Sequence, residues 1–240
     1  MEQKKKFLLS IVIPVYNEEA YIDSVLERVS AVSFPPEVAV EIIAVDDCSR
    51  DGTWQHLQEW EKKGIRVARH AVNGGKGAAL HTGFRLASGD AVTVQDADFE
   101  YDPEDLPRVL QPVLDGKADA VFGCRDAFYA PGPLKEKLHW HYLINKFLTV
   151  FSNLFSGYGL HDMECCYKLF RRDLLNKIAL RENRFGFEPE VTLKTSRFHP
   201  AIAEVRVSYA ARTYAEGKKI NWKDGVSALR CILKYGLFRR

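Results

Sequence analysis

Apolar residues follow two alternating rhythms through the first half of the chain. Continuous apolar runs at Phe7 to Pro14, Val40 to Val45, Ile65 to Ala68 and Ala91 to Gln95 have the length and β-branched content of buried strands. Between them, apolar positions fall at helical spacing, as in Ile22, Val25, Leu26 and Val29, then Trp54, Leu57 and Trp60. Asn17 and Glu18 open the first helical pattern, Pro35-Pro36 ends that unit, and Gly64 stops a second helix over Thr53 to Lys63. A third helix is predicted from Ala78 to Ala87. Strands that alternate with helices of about ten to fifteen residues imply right-handed crossovers and a mostly parallel sheet.

The second half is less regular. Asp102 can cap a helix with Pro103 at its first position, although Pro107 and Pro112 make that segment short or kinked. Short strands are predicted at Ala120 to Gly123, Tyr167 to Phe170 and Ile202 to Tyr209, and helices at Lys135 to Phe155, Glu188 to Thr195 and Asp224 to Phe238. No repeat, low-complexity tract or linker divides the 240 residues. The fold class expected is therefore α/β, a single domain over 1–240 with a mostly parallel central sheet flanked by helices.

Composition adds bounds. With 46% hydrophobic and 28% charged residues, the chain has the make-up of a globular protein with a substantial core. A formal charge of +2 is too small to imply nucleic acid as a partner. The five cysteines are odd in number and lack zinc-ligand spacing, and Cys165-Cys166 suits core filling better than a strained disulfide. Free thiols and no secretory-type leader point to a reducing cytosol. No run of about 18 apolar residues predicts a membrane span.

Candidate chemistry collects at the strand ends. Ligands of parallel sheets bind beyond the carboxyl ends of the strands. Tyr16, Asp47, Lys76 and Asp98 each follow one, which puts them on a common rim. Asp96-Ala97-Asp98 offers two hard carboxylates suited to Mg²⁺ or Mn²⁺, ions that bridge protein oxygens to substrate phosphates. Tyr16 can stack beside a base, Asp47 can accept from the base or ribose, and Lys76 can add positive charge. The plainer readings are strand-end turns for Tyr16 and Asp47 and a solvated lysine in a glycine turn. Asn73-Gly74-Gly75-Lys76-Gly77 is neither a Walker A loop, which needs Ser or Thr after the lysine, nor a dinucleotide fingerprint. His139 and His141, two apart on a helix, are poor joint ligands.

Pro14-Val15-Tyr16-Asn17-Glu18, Val45-Asp46-Asp47-Cys48-Ser49-Arg50-Asp51-Gly52-Thr53, Asn73 to Gly77 and Asp96-Ala97-Asp98 resemble the ordered signature of family 2 glycosyltransferases with the GT-A fold. Phe122-Gly123-Cys124-Arg125, Asp162 to Arg171 and Arg212 to Ile220 extend the likeness, over about residues 7 to 235, to the dolichyl-phosphate mannose synthase and glucosyltransferase branch. The resemblance implies a donor-binding half over about 7–123 and an acceptor-binding half over about 124–240. It assigns Pro14, Tyr16, Glu18, Asp47, Lys76 and Asp96 to the nucleotide sugar, and Asp96, Asp98 and Glu100 to Mg²⁺ or Mn²⁺. Arg125, Arg212 and Lys218 match positions associated with the acceptor and donor phosphates. Lys135 or Lys137 would stand for a further basic residue.

The reaction so implied moves mannose or glucose, from GDP-mannose or UDP-glucose, to a polyprenyl phosphate with inversion. A phosphate acceptor is already anionic and needs no base. A hydroxyl acceptor would need one, and Asp162 or Glu164 are the candidates, unless they are polar turn residues. A third reading is a non-catalytic nucleotide-binding scaffold. The polyprenyl reading places the chain peripherally at the cytosolic membrane face, against lipid or a membrane-anchor subunit. Apolar residues crowd Leu138 to Phe155, and the terminal helix mixes Val226, Leu229, Ile232, Leu233 and Leu237 with Arg230 and Lys234. Both patterns fit either core packing or an interfacial face.

Overall fold

A computed structural model describes residues 6–125, 140–211 and 222–238. Arg212, Lys218, Lys135, Lys137, His139 and the closing Arg239-Arg240 lie outside the described residues.

One seven-stranded sheet organises the chain, in the order β3-β2-β1-β4-β6-β5-β7. The strands are β1 (Phe7–Val15), β2 (Val38–Asp46), β3 (Arg66–Arg69), β4 (Ala91–Val94), β5 (Ala120–Arg125), β6 (Lys168–Arg171) and β7 (Ile202–Val207). Central β1 is flanked by β2 and β4 and buries Leu9, Ile11, Val12 and Ile13 in succession, because crossover helices cover both of its faces. The crossovers are α1 (Ile22–Ala31), α2 (Thr53–Lys62) and α3 (Lys76–Leu86), and α4 (Leu106–Leu114) leads into β5. Beyond lie α5 (Trp140–Ser156), the single turn α6 (Arg172–Leu175), α7 (Phe187–Ser196) and α8 (Trp222–Leu237).

The structure departs from the sequence expectations in four places. The first helix starts at Ile22, not at Asn17, because Asn17 adopts a left-handed φ of 50° and residues 17–21 turn before the helix begins. Asp102 does cap, accepting from the Glu104 amide at 3.1 Å, but it opens a 3-10 turn at Pro103–Asp105 that precedes α4. The strand expected at Tyr167 to Phe170 is β6, which runs antiparallel to both β4 and β5. Finally, β7 stops at Val207, and Tyr209 bridges separately to Tyr101.

A second apolar cluster lies off the sheet. Leu148, Met163, Leu193, Ala228, Cys231, Ile232 and Tyr235 join α5, α7 and α8. All five cysteines are free, and four are buried, as core filling predicts for Cys165 and Cys166.

Candidate donor-binding cavity

The carboxyl ends of β1, β2 and β4 open on a cavity of about 360 Å³, within the size range of small-molecule sites. Pro14, Tyr16, Glu18, Asp47, Lys76, Asp96, Asp98 and Glu100 all line it, so one rim does collect these residues. Tyr16 is half-buried on the wall, while Glu18 and Asp98 are buried.

Reciprocal bonds between the loops after β1 and β2 shape this wall. The Asn17 amide donates to Ser49 Oγ at 2.9 Å, and the Arg50 amide donates back to Asn17 Oδ1 at 2.8 Å. The Glu18 amide donates to Thr53 Oγ1 at 2.9 Å. The polar residues around Tyr16 and Asp47 therefore hold the two strand ends together.

Asp47 has work inside the fold as well as a place on the wall. Its carboxylate accepts from the Gly74 and Gly75 amides at 2.9 and 2.6 Å and lies 2.7 Å from His70 Nδ1. It is thus the anchor of the glycine turn, which the spacing alone had not indicated. The glycines serve packing too. Gly75 has a φ of +99°, and a Cβ on Gly77 would lie 2.1 Å from the Glu182 carbonyl oxygen. Their bareness admits the 182–185 loop, which the Ala78 amide ties down by donating to the Asn183 carbonyl at 3.0 Å. This loop brings Arg184 and Phe185 to the cavity, and the start of α8 brings Asp224.

Lys76 is not a solvated turn lysine. Its ammonium lies 3.0 Å from Asp96 and 3.2 Å from Glu188 on α7. Burial opposes the charged amine, but these carboxylates outweigh it and raise its pKa well above the ordinary lysine value. A permanent cation therefore sits among the cavity carboxylates.

The carboxylates present fit a divalent ion only in part. Asp96 and Asp98 share the cavity, whereas Glu100 accepts from the Tyr209 hydroxyl at 3.2 Å and its amide donates to Asp98 Oδ1 at 3.0 Å. Among the described residues no three His, Cys, Asp or Glu side chains converge as a metal cage. Glu100, the third carboxylate of the expected set, lines the same cavity but is engaged by Tyr209. Two carboxylates suffice for Mg²⁺ or Mn²⁺ when substrate phosphates and water complete the shell.

Arg125 stands apart from this rim. It does not line the cavity, and its guanidinium forks onto the buried Asp162 carboxylate at 2.6 and 2.8 Å. It also lies 5.1 Å from the Tyr209 ring centre. Asp162 is wholly buried and its charge is balanced by this fork. Glu164 Oε1 is buried without a hydrogen-bond partner, and burial, with Glu188 nearby, pushes its pKa up to about 8. It is chiefly protonated at neutral pH and cannot then accept a proton.

Residues 10–179 match the family described as Glycosyl transferase family 2. The chain belongs to glycosyltransferase family 2. Among its relatives, the undecaprenyl-phosphate mannosyltransferase of Micrococcus luteus is 29% identical over 95% of this chain and 94% of its own length. The polyprenol monophosphomannose synthase of Mycolicibacterium smegmatis is 31% identical over 87% of this chain and 79% of its own. An undecaprenyl-phosphate 4-deoxy-4-formamido-L-arabinose transferase of Pseudomonas paraeruginosa is 31% identical over 88% of this chain, which spans only 60% of that relative's length. The fold matches the crystal structure of glucosyl-3-phosphoglycerate synthase from Mycobacterium tuberculosis with a TM-score of 0.73, at 22% identity over 97% of this chain and 81% of that one. The same synthase has been crystallised with Mn²⁺ and UDP. The GT-A-type α/β fold expected of a family 2 glycosyltransferase is therefore the fold observed.

Sequence reading missed several members of this glycosyltransferase's cavity region. His70 directly follows β3, so the strand-end rule could have found it. Arg184, Phe185, Glu188 and Asp224 carry no local signal, because only the packing of α7 and α8 brings them to the rim.

Proposed function

We propose that this chain transfers a hexose, mannose or glucose, from a nucleotide sugar to a polyprenyl phosphate with inversion, at the cytosolic face of a membrane. The observation that carries the proposal is the cavity at the β1, β2 and β4 ends, where carboxylates and one buried-side lysine face a nucleotide-sized space. Relatives named for transfer to undecaprenyl phosphate or for polyprenol monophosphomannose synthesis support the acceptor class. A UDP and Mn²⁺ complex of the structural neighbour supports the donor class.

In this reading Tyr16 offers its ring to the base, and Glu18 and Asp47 shape the nucleoside wall. Asp96 and Asp98 would hold Mg²⁺ or Mn²⁺. When bound, that ion supplies charge to stabilise the departing nucleoside diphosphate. Lys76, steadied by Glu188, places a further fixed positive charge where the leaving group becomes anionic. The acceptor phosphate is anionic near neutral pH, so attack on the anomeric carbon needs no general base. Arg212, Lys218 and Arg125 would orient it, with Arg125 held by Asp162 and set beside the Tyr209 ring.

The hydroxyl-acceptor alternative is disfavoured by the states of Asp162 and Glu164, one paired and the other protonated. A scaffold without activity is disfavoured by the retained Asp96, Asp98 and Lys76. The test incubates the purified chain with radiolabelled UDP-glucose or GDP-mannose, Mn²⁺ and a short polyprenyl phosphate. Label that moves into organic solvent supports the proposal. Transfer confined to water-soluble saccharides overturns it.

A further inference from the structure

The outer faces of α5 and α8 carry more apolar surface than the fold uses. On α5, Leu143, Phe147, Val150 and Leu154 are 44%, 58%, 52% and 74% exposed. Their spacing of four, three and four residues puts them on one helical stripe, opposite the inward Thr149 and Ser152. On α8, Val226, Leu233 and Leu237 repeat the pattern at 58%, 39% and 59% exposure, opposite the buried Ala228, Cys231 and Tyr235. The helices run side by side in one direction: a Cβ on Gly225 would lie 3.8 Å from Ile144, and one on Gly236 would meet the Phe155 ring. The two stripes therefore flank one seam and form a common apolar face, unlike singly scattered surface residues.

Charge indicates what covers this face. No acidic residue occurs on α5, and the one acid on α8, Asp224, lines the cavity. Arg230 is exposed between Val226 and Leu233, and Lys146 is half-exposed beside Phe147. A second copy docked here would bring like charges together, whereas an anionic bilayer would meet both the apolar and the basic groups favourably. Among the described residues no helix is long and apolar enough to cross a membrane, so the face would lie on the lipid rather than span it. Asp224 at the cavity and Val226 on the face lie within one turn at the start of α8 but point to different sides of it, so the cavity lies at the N-terminal end of the face.

We propose that the paired outer stripes of α5 and α8 are a docking face for an anionic lipid bilayer, seating the mouth of the cavity at the membrane surface. The proposal rests on the polyprenyl-phosphate reading for its purpose, and the experiment separates the two. Flotation is measured with phosphatidylcholine vesicles and with vesicles containing phosphatidylglycerol, for the wild type, Phe147→Ser/Leu154→Ser and Lys146→Gln/Arg230→Gln. Wild type should bind the anionic vesicles and release at high salt. The serine variant should bind at least about tenfold more weakly, as expected when two large apolar side chains no longer insert. The glutamine variant should lose about fivefold per cation removed on anionic vesicles alone.

Because the substituted side chains are largely solvent-facing, melting temperature and nucleotide binding should match the wild type in both variants. Wild type that binds neither vesicle, or a serine variant that floats like wild type, overturns the proposal. So does a wild-type dimer that the serine variant dissolves without any vesicle binding. Vesicle binding that depends on these residues, in a protein that transfers no sugar to any polyprenyl phosphate, supports the docking face and overturns the reading of function. Transfer to detergent-dispersed acceptor by a protein that binds no vesicle does the reverse.

Discussion

Replacing Gly77 with alanine sets helix propensity against packing. Gly77 is the second residue of α3, and alanine in a helix is favoured over glycine by about 1 kcal/mol, which predicts stabilisation. The structure predicts the opposite. The new Cβ would lie 2.1 Å from the Glu182 carbonyl oxygen, 2.9 Å from the Asn183 carbonyl carbon and 3.1 Å from the Arg184 carbonyl oxygen. These are backbone atoms, so no side chain can rotate away, and the 182–185 loop must withdraw. Overpacking of this kind costs about 1–3 kcal/mol. Weakening the 3.0 Å bond from the Ala78 amide to the Asn183 carbonyl adds about 1 kcal/mol.

With the propensity gain subtracted, Gly77→Ala should destabilise the protein by about 2 kcal/mol. For a domain of this size that lowers Tm by roughly 4–8 °C. Arg184 and Phe185 ride on the same loop and line the cavity, so nucleotide affinity should fall as well. Calorimetric melting and titration with UDP or GDP in the presence of Mn²⁺ read the two effects. A higher Tm with unchanged affinity would refute the account of the glycine segment as a seat for this loop.

Three further outcomes follow from the buried charges. Glu190 is fully buried, accepts from the Arg181 and Glu182 amides and pairs with Lys194 at 2.5 Å; Glu190→Ala should cost about 3–5 kcal/mol in urea unfolding, and a loss under about 1 kcal/mol would contradict its anchoring role. The folded-state pKa of Glu164, about 8, lies above its ordinary value of 4.5, so the folded state keeps a proton that the unfolded chain releases. Its contribution is present below about pH 4.5 and is lost as pH rises towards 8. Unfolding curves should thus show Glu164→Gln gaining on wild type across that window, by about 1 kcal/mol per pH unit and a few in all, whereas parallel pH profiles would discount the burial. Lys76→Met should reduce kcat for transfer by about 100-fold or more with a smaller change in nucleotide affinity, and a kcat within about threefold of wild type would remove Lys76 from leaving-group stabilisation.

Legibility in the sequence tracked the range of the interaction. Buried runs such as Phe7 to Pro14 mark strands because one local property, burial on both faces, fixes their composition. The rim residues were readable for the same reason, since a strand end determines where Tyr16, Asp47 and Asp98 emerge. Antiparallel β6 was not, because Tyr167 to Phe170 has the same local character whichever way it runs. The partner of Lys76 was hidden further still: Glu188 reaches it through the tertiary packing of α7, which no spacing rule describes, whereas His70, beside Asp47, follows the end of β3 and falls under the strand-end rule. Asp162 looked like a candidate base in sequence, yet its function in the fold depends on an arginine 37 positions away.

The central claim is that this cavity binds a nucleotide sugar through Asp98. Titration of UDP-glucose and of GDP-mannose, each with Mn²⁺, into the wild type and into Asp98→Asn tests it most directly. The account predicts that one donor binds the wild type in a metal-dependent manner, and that Asp98→Asn keeps its fold while losing that binding and all transfer. A correctly folded wild type that binds neither donor with Mn²⁺ or Mg²⁺, or an Asp98→Asn variant that binds as the wild type does, would contradict it.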